Sequence, residues 1–558
     1  MPVLENSELR DPEVDRPAND LNFDTDVLII GGGFGGAYSL WKFRQLGLRT
    51  KLFEAGNEFG GTWHWNSYPG ARVDSEMPYY ALSLPEIWKT WNWTQRFPSA
   101  VELKEYFKHV DKTLDLSKDS YFNVIATSAK YTGQKWAIKT RDGRTVHCRY
   151  LILATGSSYK KNIPAFTGLA NYKGKLVHAA DWPRDGLDVK GKKVGVIGNG
   201  ATGVQVVQEL GKEDCDLSVF IRNPIHALPM RQRKLSVEEQ ETSKMAYSFL
   251  YEGAQKSRAG FPFKSLTKGF WESTPEEREA LMEEGWSRGG FAFNQGTYRD
   301  FIFDKEANKV FYDFWARKVR QRVTDPKKAQ TVAPIPQQAF FATKRPSLEQ
   351  DYYEIINRSD VKVVDLKASP IREFCESGIV SKEGVHQLDI IVLATGYDAV
   401  TGSLLEMGLE DKNGVSLPEK WQSGVRTHLG LMIPEMPNLF MVYGPQAPTS
   451  FSNGPPIIEV QVNLICQTVA KCEREQVSSI EPSAAATEEW ADEVRRIGDQ
   501  TLYPTVDSWY MGANIPGKPR EMLLYLGGVD VYAEKCRTAL ESWKDFIVKR
   551  RAHYTTIQ

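Results

Sequence analysis

Cysteine pairs are missing from this chain. Its six cysteines, at positions 148, 215, 375, 466, 472 and 536, include no Cys-x-x-Cys. That argues against a dithiol relay, a cysteine-based zinc site and a secreted disulfide framework, and no metal is expected. A charge excess is missing too: 70 Lys and Arg face 71 Asp and Glu, so neither nucleic acid nor an anionic membrane is expected as a partner. No run is long and apolar enough to span a bilayer, and no basic segment followed by an apolar one opens the chain. The expected location is cytoplasmic and, with no long exposed apolar stripe in the pattern, the expected state is a monomer. Aromatics are plentiful, with 15 Trp, 23 Tyr and 26 Phe, which suits flat cofactors as well as ordinary cores. The 558 residues suffice for two or three domains.

Two glycine fingerprints stand far apart. The first is Gly31-Gly32-Gly33-Phe34-Gly35-Gly36, with Gly31, Gly33 and Gly36 on the G-x-G-x-x-G positions. Asp26-Val27-Leu28-Ile29-Ile30 before it reads as a buried parallel strand, and Ala37, Leu40 and Trp41 after it repeat at helical spacing. The next strand, Thr50 to Phe53, ends at Glu54, where a carboxylate can accept hydrogen bonds from ribose hydroxyls. Such glycines let a pyrophosphate lie on a helix N-terminus, where free N–H groups and the helix dipole favour negative charge.

The second fingerprint is Gly198-Asn199-Gly200-Ala201-Thr202-Gly203, after the strand Lys193 to Ile197 and before a helix through Val204, Val207 and Leu210. The following strand, Leu217 to Ile221, ends at Arg222 where the first unit has an acid. A guanidinium there can grip a ribose 2′-phosphate. The first site is therefore expected to take FAD or NAD and the second NADP(H), an arrangement that passes electrons from a nicotinamide to a flavin.

The fold class expected is α/β, with two Rossmann-like dinucleotide-binding domains and a helical insertion in the second. Residues 1–24 are read as an N-terminal arm, 25–160 with 396–558 as the first domain, and 170–225 with 335–395 as the second. Residues 226–334, where strand signals fade and Thr274 with Glu277 form a capping-box pattern, are the insertion. Leu151 to Gly156 and Ile391 to Gly396 both end in Ala-Thr-Gly, and each is read as a crossing between domains.

Four further strings carry a resemblance. Tyr172, Gly174, His178, Trp182 and Pro183 fill an aromatic-x-Gly-x-x-x-His-x-x-x-Trp-Pro pattern; Gly60 to Asp74 reads GGTWHWNSYPGARVD; Ala342-Thr343-Lys344-Arg345 follows the insertion; and Asp507 to Arg520 lies near the C-terminus. In order and content they resemble the type I Baeyer–Villiger monooxygenases, which use FAD and NADPH to insert oxygen beside a ketone carbonyl. Tyr172 stands where Phe is usual, and Ala342 where Gly is common, so the local turn there could differ.

The resemblance implies that reduced flavin and O2 give a C4a-peroxyflavin, which attacks a small-molecule ketone and, through a tetrahedral adduct, yields an ester or lactone (oxidoreductase, EC 1.14.13 type). Two successive anions then need a fixed cation in a dry site. Arg345 is the candidate, with Asp74 as its orienting partner. The cofactor-binding set implied is Gly31, Gly33, Gly36, Glu54, Gly61, Thr62, Trp63, Asp74 and Tyr80 on the flavin side. On the NADP side it is Gly198, Gly200, Ala201, Thr202, Gly203, Gln205, Arg222, Asn223, Lys344 and Trp509. Lys344 joins Arg222 at the 2′-phosphate, Trp509 covers the nicotinamide end, and the 507–520 loop closes over NADP. His178, Trp182 and Pro183 are read as structural. Tyr443 to Gln446 and Asn453 to Pro456 resemble the stretch near the flavin ring, with a plain surface loop as the other reading. A flavin monooxygenase that oxidises amine or sulfide heteroatoms is the rival reading, disfavoured by Trp182-Pro183 together with Asp74 and Arg345.

Overall fold

The computed structural model describes residues 22–551 apart from 262, 264, 265 and 267. Most of the expected N-terminal arm, residues 1–21, lies outside the described residues. Its last part is not an arm: the first strand runs Asn22–Ile30, with Asn22 already paired to Thr145.

That strand is buried along Val27 to Ile30, flanked by parallel neighbours on both sides and packed against helix Phe34–Arg44. Thr50–Phe53 pairs on one side and Thr145–Leu153 on the other, both parallel. Ser120–Tyr121 extends the sheet beyond Thr50–Phe53. The far edge of Thr145–Leu153 is shared: its first half pairs antiparallel with Trp136–Thr140 and its second half parallel with Leu439–Met441. The sheet therefore forks there; Ala126–Tyr131 continues the antiparallel branch, and Leu409–Glu410 pairs in parallel with it at the edge. Helix Phe34–Arg44 lies against the long helix Gly454–Arg474, and Tyr38 Oη donates to Asn463 Oδ1 at 3.1 Å across that contact.

A second sheet has the order Lys362–Asp365, Asp216–Ile221, Lys193–Ile197, Ile390–Leu393, Lys175–His178, all parallel. A small antiparallel sheet, Glu373–Cys375, Gly378–Ser381 and Gly384–Gln387, accompanies it. The chain passes from the first sheet to the second after Ala154-Thr155-Gly156 and returns after Ala394-Thr395-Gly396.

Among the described residues from 226 to 334 the regular elements are helices joined by loops, apart from Ala227–Pro229, which pairs in parallel with Ser347–Glu349. The capping box at Thr274 forms in both directions, Glu277 N donating to Thr274 Oγ1 and Thr274 N to Glu277 Oε2. Phe293, Phe311, Phe314, Trp315 and Phe341 bury this segment in one cluster with the second sheet. Asn308, with no exposed surface, donates to the carbonyls of Phe301 and Phe341 and accepts from Phe341 N at 2.6 Å. That network ties helix Lys305–Arg322 to the loop that carries Arg345.

Candidate active site

Both glycine turns have the spatial logic of a pyrophosphate cradle. A Cβ on Gly31 would stand 2.4 Å from Ala154 O and one on Gly36 1.7 Å from Gly31 O; on Gly198 and Gly203 the clashes are 2.5 Å with Ala394 O and 2.2 Å with Gly198 O. The first and third glycines of each motif are thus demanded by turn and helix–strand packing. The Ala-Thr-Gly stretches serve the same purpose, since Ala154 and Ala394 are the carbonyls that crowd Gly31 and Gly198. Gly200, the middle glycine of the second turn, meets nothing within 4 Å and leaves open space at the N-terminus of helix Ala201–Leu210. Gly33 holds the same position on helix Phe34–Arg44. Neither helix start has a side-chain cap, so its N–H groups are free for an anion.

Glu54 is buried at the end of Thr50–Phe53 and accepts from the backbone N–H of Gly32 and, at 2.6 Å, of Gly56. Burial raises its carboxyl above the usual range against those amide bonds. The Gly60 to Asp74 string folds back onto the first turn: Gly60 N donates to Gly32 O, and a Cβ on Gly61 would stand 2.7 Å from Gly33 Cα. Gly61 caps the short helix Thr62–Trp65, where Thr62 is exposed and Trp63 buried. Trp63 Nε1 donates to Tyr80 Oη at 3.2 Å, and the Tyr80 ring meets Phe34 edge-on.

The same string reaches the second unit. Tyr68 Oη donates to Gln205 Oε1 at 2.9 Å, Gln205 Nε2 to Arg72 O at 3.1 Å, and Thr202 Oγ1 lies 3.5 Å from Tyr68 Oη. Ala201, exposed, opens that helix. Arg222 is exposed just past Asp216–Ile221, and Asn223 O accepts from the Asn199 amide at 2.8 Å in the orientation that satisfies its neighbours. Burial, then the adjacent positive charges of Arg222 and Lys367, hold the Lys344 ammonium below its ordinary pKa. Lys344, Arg222 and Lys367 thus form a cluster of positive charge, opposed by Asp507.

Arg345 Nε donates to Asp74 Oδ2 at 2.8 Å and Nη2 to Oδ1 at 2.9 Å, while Nη1 donates to Ser450 O at 2.9 Å. Its Cζ lies 4.9 Å from the centre of the Phe291 ring. Burial alone would lower the guanidinium pKa; the Asp74 carboxylate outweighs it and holds the value above the ordinary range. Upstream, the turn expected to differ at Ala342 takes the left-handed backbone that Gly favours, φ +58°, and His226 Nδ1 accepts from Ala342 N at 3.2 Å.

The loop from Tyr443 to Asn453 is not a surface loop. Residues 444–449 are buried, Ser450 N donates to Tyr443 Oη at 2.8 Å, and Tyr443, Gln446 and Ser450 all have positive φ. This strain presents the Ser450 carbonyl to Arg345.

Trp509 opens a short 3-10 turn, its ring edge-on to Tyr510 at 4.2 Å. The 507–520 loop is held on the second crossing by the Lys518–Asp398 ion pair, 2.7 Å long and nearly buried, and by Asn514 Nδ2 donating to Tyr397 O at 2.8 Å. His178 lies at the crossings: Nδ1 accepts from Ala180 N, and burial lowers its pKa to about 4. Trp182 is buried and accepts from Ser67 Oγ through its carbonyl at 2.9 Å. Tyr172 Oη donates to Leu388 O, and a Cβ on Gly174 would stand 2.2 Å from that hydroxyl, which is why glycine follows it. None of these three lines the cavity next to Arg345.

That cavity is walled by residues the strings do not single out, among them Arg258, Phe291, Arg299, Phe451 and Tyr503, together with Tyr510 from the C-terminal loop. Ser450, Phe291 and Arg258 carried no sequence signal. Each lies in an irregular segment without a periodic pattern, and only the fold brings them to Arg345.

Two nucleotide-type units on separate sheets, with an arginine–carboxylate pair held between them, define a two-dinucleotide oxidoreductase. The pyridine nucleotide-disulphide oxidoreductase family profile matches residues 25–246. Over 94% of this chain and 89% of its own length, the FAD-binding monooxygenase acrE of Aspergillus aculeatus is 42% identical. The cyclopentanone 1,2-monooxygenase of Comamonas sp. is 40% identical over 94% of this chain and 96% of its own. The crystal structure of cyclohexanone monooxygenase from Rhodococcus sp. Phi1 bound to NADP+ superposes with a TM-score of 0.91 at 35% identity, covering 95% of this chain and all of that one. The chain belongs to the Baeyer–Villiger monooxygenases, flavoproteins with FAD and NADP(H) as cofactors that insert oxygen next to a ketone carbonyl.

Proposed function

We propose that this protein converts a ketone and O2 to an ester or lactone at the expense of NADPH, as an oxidoreductase of the EC 1.14.13 type, with Arg345 as the cation that holds the reacting anions. The observation that carries this reading is the two-pronged Arg345–Asp74 pair beside a cavity walled by Phe291, Phe451 and Tyr510. FAD, reduced by NADPH, supplies the activated oxygen when bound. The Gly31–Gly36 turn with Glu54 would hold the FAD pyrophosphate and ribose, and Gly61, Thr62, Trp63 and Tyr80 would flank it. The Gly198–Gly203 turn, with Gln205 and Asn223 supporting it, would hold the NADP pyrophosphate. Lys344 and Arg222 would bind the 2′-phosphate, and Trp509 would cover the nicotinamide end. In this reading 25–160 with 396–558 form the FAD domain, and 170–225 with 335–395 the NADP domain into which 226–334 is inserted.

Arg345 stays protonated through the cycle and keeps donors directed at developing negative charge without reorganisation. Asp74 is a positioning residue. It fixes the fork of the guanidinium and offsets its charge before substrate enters. Phe291, Phe451 and Tyr510 exclude water from the same space.

Cyclopentanone and cyclohexanone, the ketones named in the relatives, are the first substrates to try. The holoenzyme with NADPH and O2 should give the corresponding lactones by gas chromatography. Oxidation of a sulfide or amine panel with no lactone from any ketone would replace this reading with heteroatom oxidation.

A further inference from the structure

The cavity beside Arg345 carries two more arginines, Arg258 and Arg299, and no aspartate or glutamate stands among its described lining residues. Arg345 has its counter-ion in Asp74. Arg258 differs: among the described residues its guanidinium makes no hydrogen bond or ion pair, and its Cζ lies 5.8 Å from the Phe451 ring centre. Its position is nevertheless fixed. Val529 N donates to Arg258 O at 2.7 Å, Asn453 N to Ala259 O at 2.8 Å, and Asn453 Nδ2 to Gly260 O at 3.2 Å. The same loop presents Ser450 O to Arg345, so both arginines are referenced to one piece of backbone.

Burial, then the charge of the neighbouring Arg299, holds the Arg258 guanidinium below its ordinary pKa against the opposing charges of Tyr503 and Asp530. Tyr503 lines the same cavity as Arg258 and Arg345, and burial pushes its hydroxyl up to about 12. A half-buried cation without a hydrogen bond or ion pair costs stability unless something pairs with it, and a guanidinium is shaped to take a carboxylate with two parallel hydrogen bonds. The dinucleotides do not supply that anion: the cavity shares no residue with either glycine turn, with Lys344 or with Arg222. Phe261, Phe301, Ile302 and Leu526 provide apolar wall between the charged ends.

We propose that the cavity selects ketones that carry a carboxylate, with Arg258 and Arg299 binding the carboxylate and Arg345 facing the carbonyl. This rests on the ketone-oxidising reading above and names its substrate class.

The test compares 3-oxocyclopentane-1-carboxylate with its methyl ester on the holoenzyme with NADPH and O2. The acid should show kcat/KM at least about tenfold above the ester, the size of a charged hydrogen-bond pair. Arg258→Met should remove that advantage, mainly through KM, with a loss on the acid at least about fivefold greater than on the ester, and be partly rescued in Arg258→Lys. Arg299→Met should act in the same direction. Equal or better use of the ester by the unmodified enzyme, or equal losses on both substrates in Arg258→Met, would overturn the proposal.

A second arm does not depend on turnover. Cyclopentanecarboxylate, which has no ketone, should bind the NADP+-loaded holoenzyme by calorimetry, weakened about tenfold or more by Arg258→Met. Absence of saturable binding overturns the carboxylate site. An enzyme that oxidises the methyl ester but neither prefers the acid nor binds cyclopentanecarboxylate keeps the ketone reading and loses this one. An enzyme that binds the carboxylate but oxidises no ketone loses both the ketone reading and the substrate class.

Discussion

Arg345 and Asp74, 271 residues apart in the chain, meet through two nearly parallel hydrogen bonds of 2.8 and 2.9 Å. Tyr68 and Arg72, bonded to Gln205, brace the Asp74 side against the second nucleotide unit; Asn308 and His226 brace the Arg345 side. Asp74→Ala would leave a largely buried guanidinium without its counter-ion, a loss of about 3 kcal/mol for such pairs. Denaturant unfolding of the holoprotein should show that loss. Asp74→Asn should keep most of the stability yet lower ketone turnover by about 10- to 100-fold, because one charge-assisted bond is lost. Unchanged turnover in Asp74→Asn would remove the positioning role.

Lys344 and Arg222 repel one another, and the opposing charge of Asp507 does not outweigh burial and that repulsion. Each single Ala substitution should raise the KM for NADPH about 10- to 100-fold and leave that for NADH nearly unchanged, as expected when a charged hydrogen bond to the 2′-phosphate is removed. Steady-state flavin reduction with the two nucleotides checks this. Equal losses on NADPH and NADH would place the 2′-phosphate elsewhere.

Ala342 stands at φ +58°, where its Cβ is strained by roughly 1–2 kcal/mol. Ala342→Gly relieves that strain, and the extra freedom of glycine in the unfolded chain returns part of it. The net expectation is a stabilisation of about 0.5–1 kcal/mol, read as a higher urea midpoint, with activity within about twofold. A lower midpoint would mean that the alanine methyl contributes packing that outweighs the strain.

Glu459 is fully buried and accepts from Ser83 N at 2.7 Å, Ser83 Oγ at 2.6 Å and Gln255 Nε2 at 2.6 Å. Burial lifts its carboxyl from 4.5 to about 7. Between those values the folded protein keeps a proton that the unfolded chain releases, so this group's contribution to stability declines as pH rises through that window and is lowest above 7. His64 and His178 at about 4 and His226 at about 3, all lowered by burial, act in the opposite sense as pH falls below 6.5. They cancel when two proteins differing only at position 459 are compared. Glu459→Gln should therefore gain stability relative to the unmodified protein by roughly 2–4 kcal/mol between about pH 5 and about pH 8. A difference independent of pH would show that the carboxyl titrates normally.

The nucleotide units were readable because backbone geometry writes itself into residue type. Only glycine fits at Gly31, Gly36, Gly198 and Gly203, and Glu54 and Arg222 stand where a strand must end. The fork at Thr145–Leu153 was not readable, since nothing local marks which half of a strand pairs with Trp136–Thr140 and which with Leu439–Met441. Asp74 and Arg345 were placed through strings resembling a family, and neither residue alone distinguishes a buried pair from solvated charges. Arg258 and Arg299 were invisible for that reason: an arginine in an irregular segment looks like surface until the fold turns it inward. The Tyr443–Asn453 loop misled in the same way, because Gly and Pro mark a turn without saying whether it is buried.

Arg345→Ala with a cyclic ketone, NADPH and isotopically labelled O2 tests the central claim most directly. The variant should still bind FAD and lose the flavin's visible absorbance when NADPH is added anaerobically. It should make no labelled lactone by mass spectrometry and release hydrogen peroxide instead, while the unmodified enzyme places a single labelled oxygen in the ring. Labelled lactone from Arg345→Ala at close to the unmodified rate would contradict the account and move the anion-holding role to another residue.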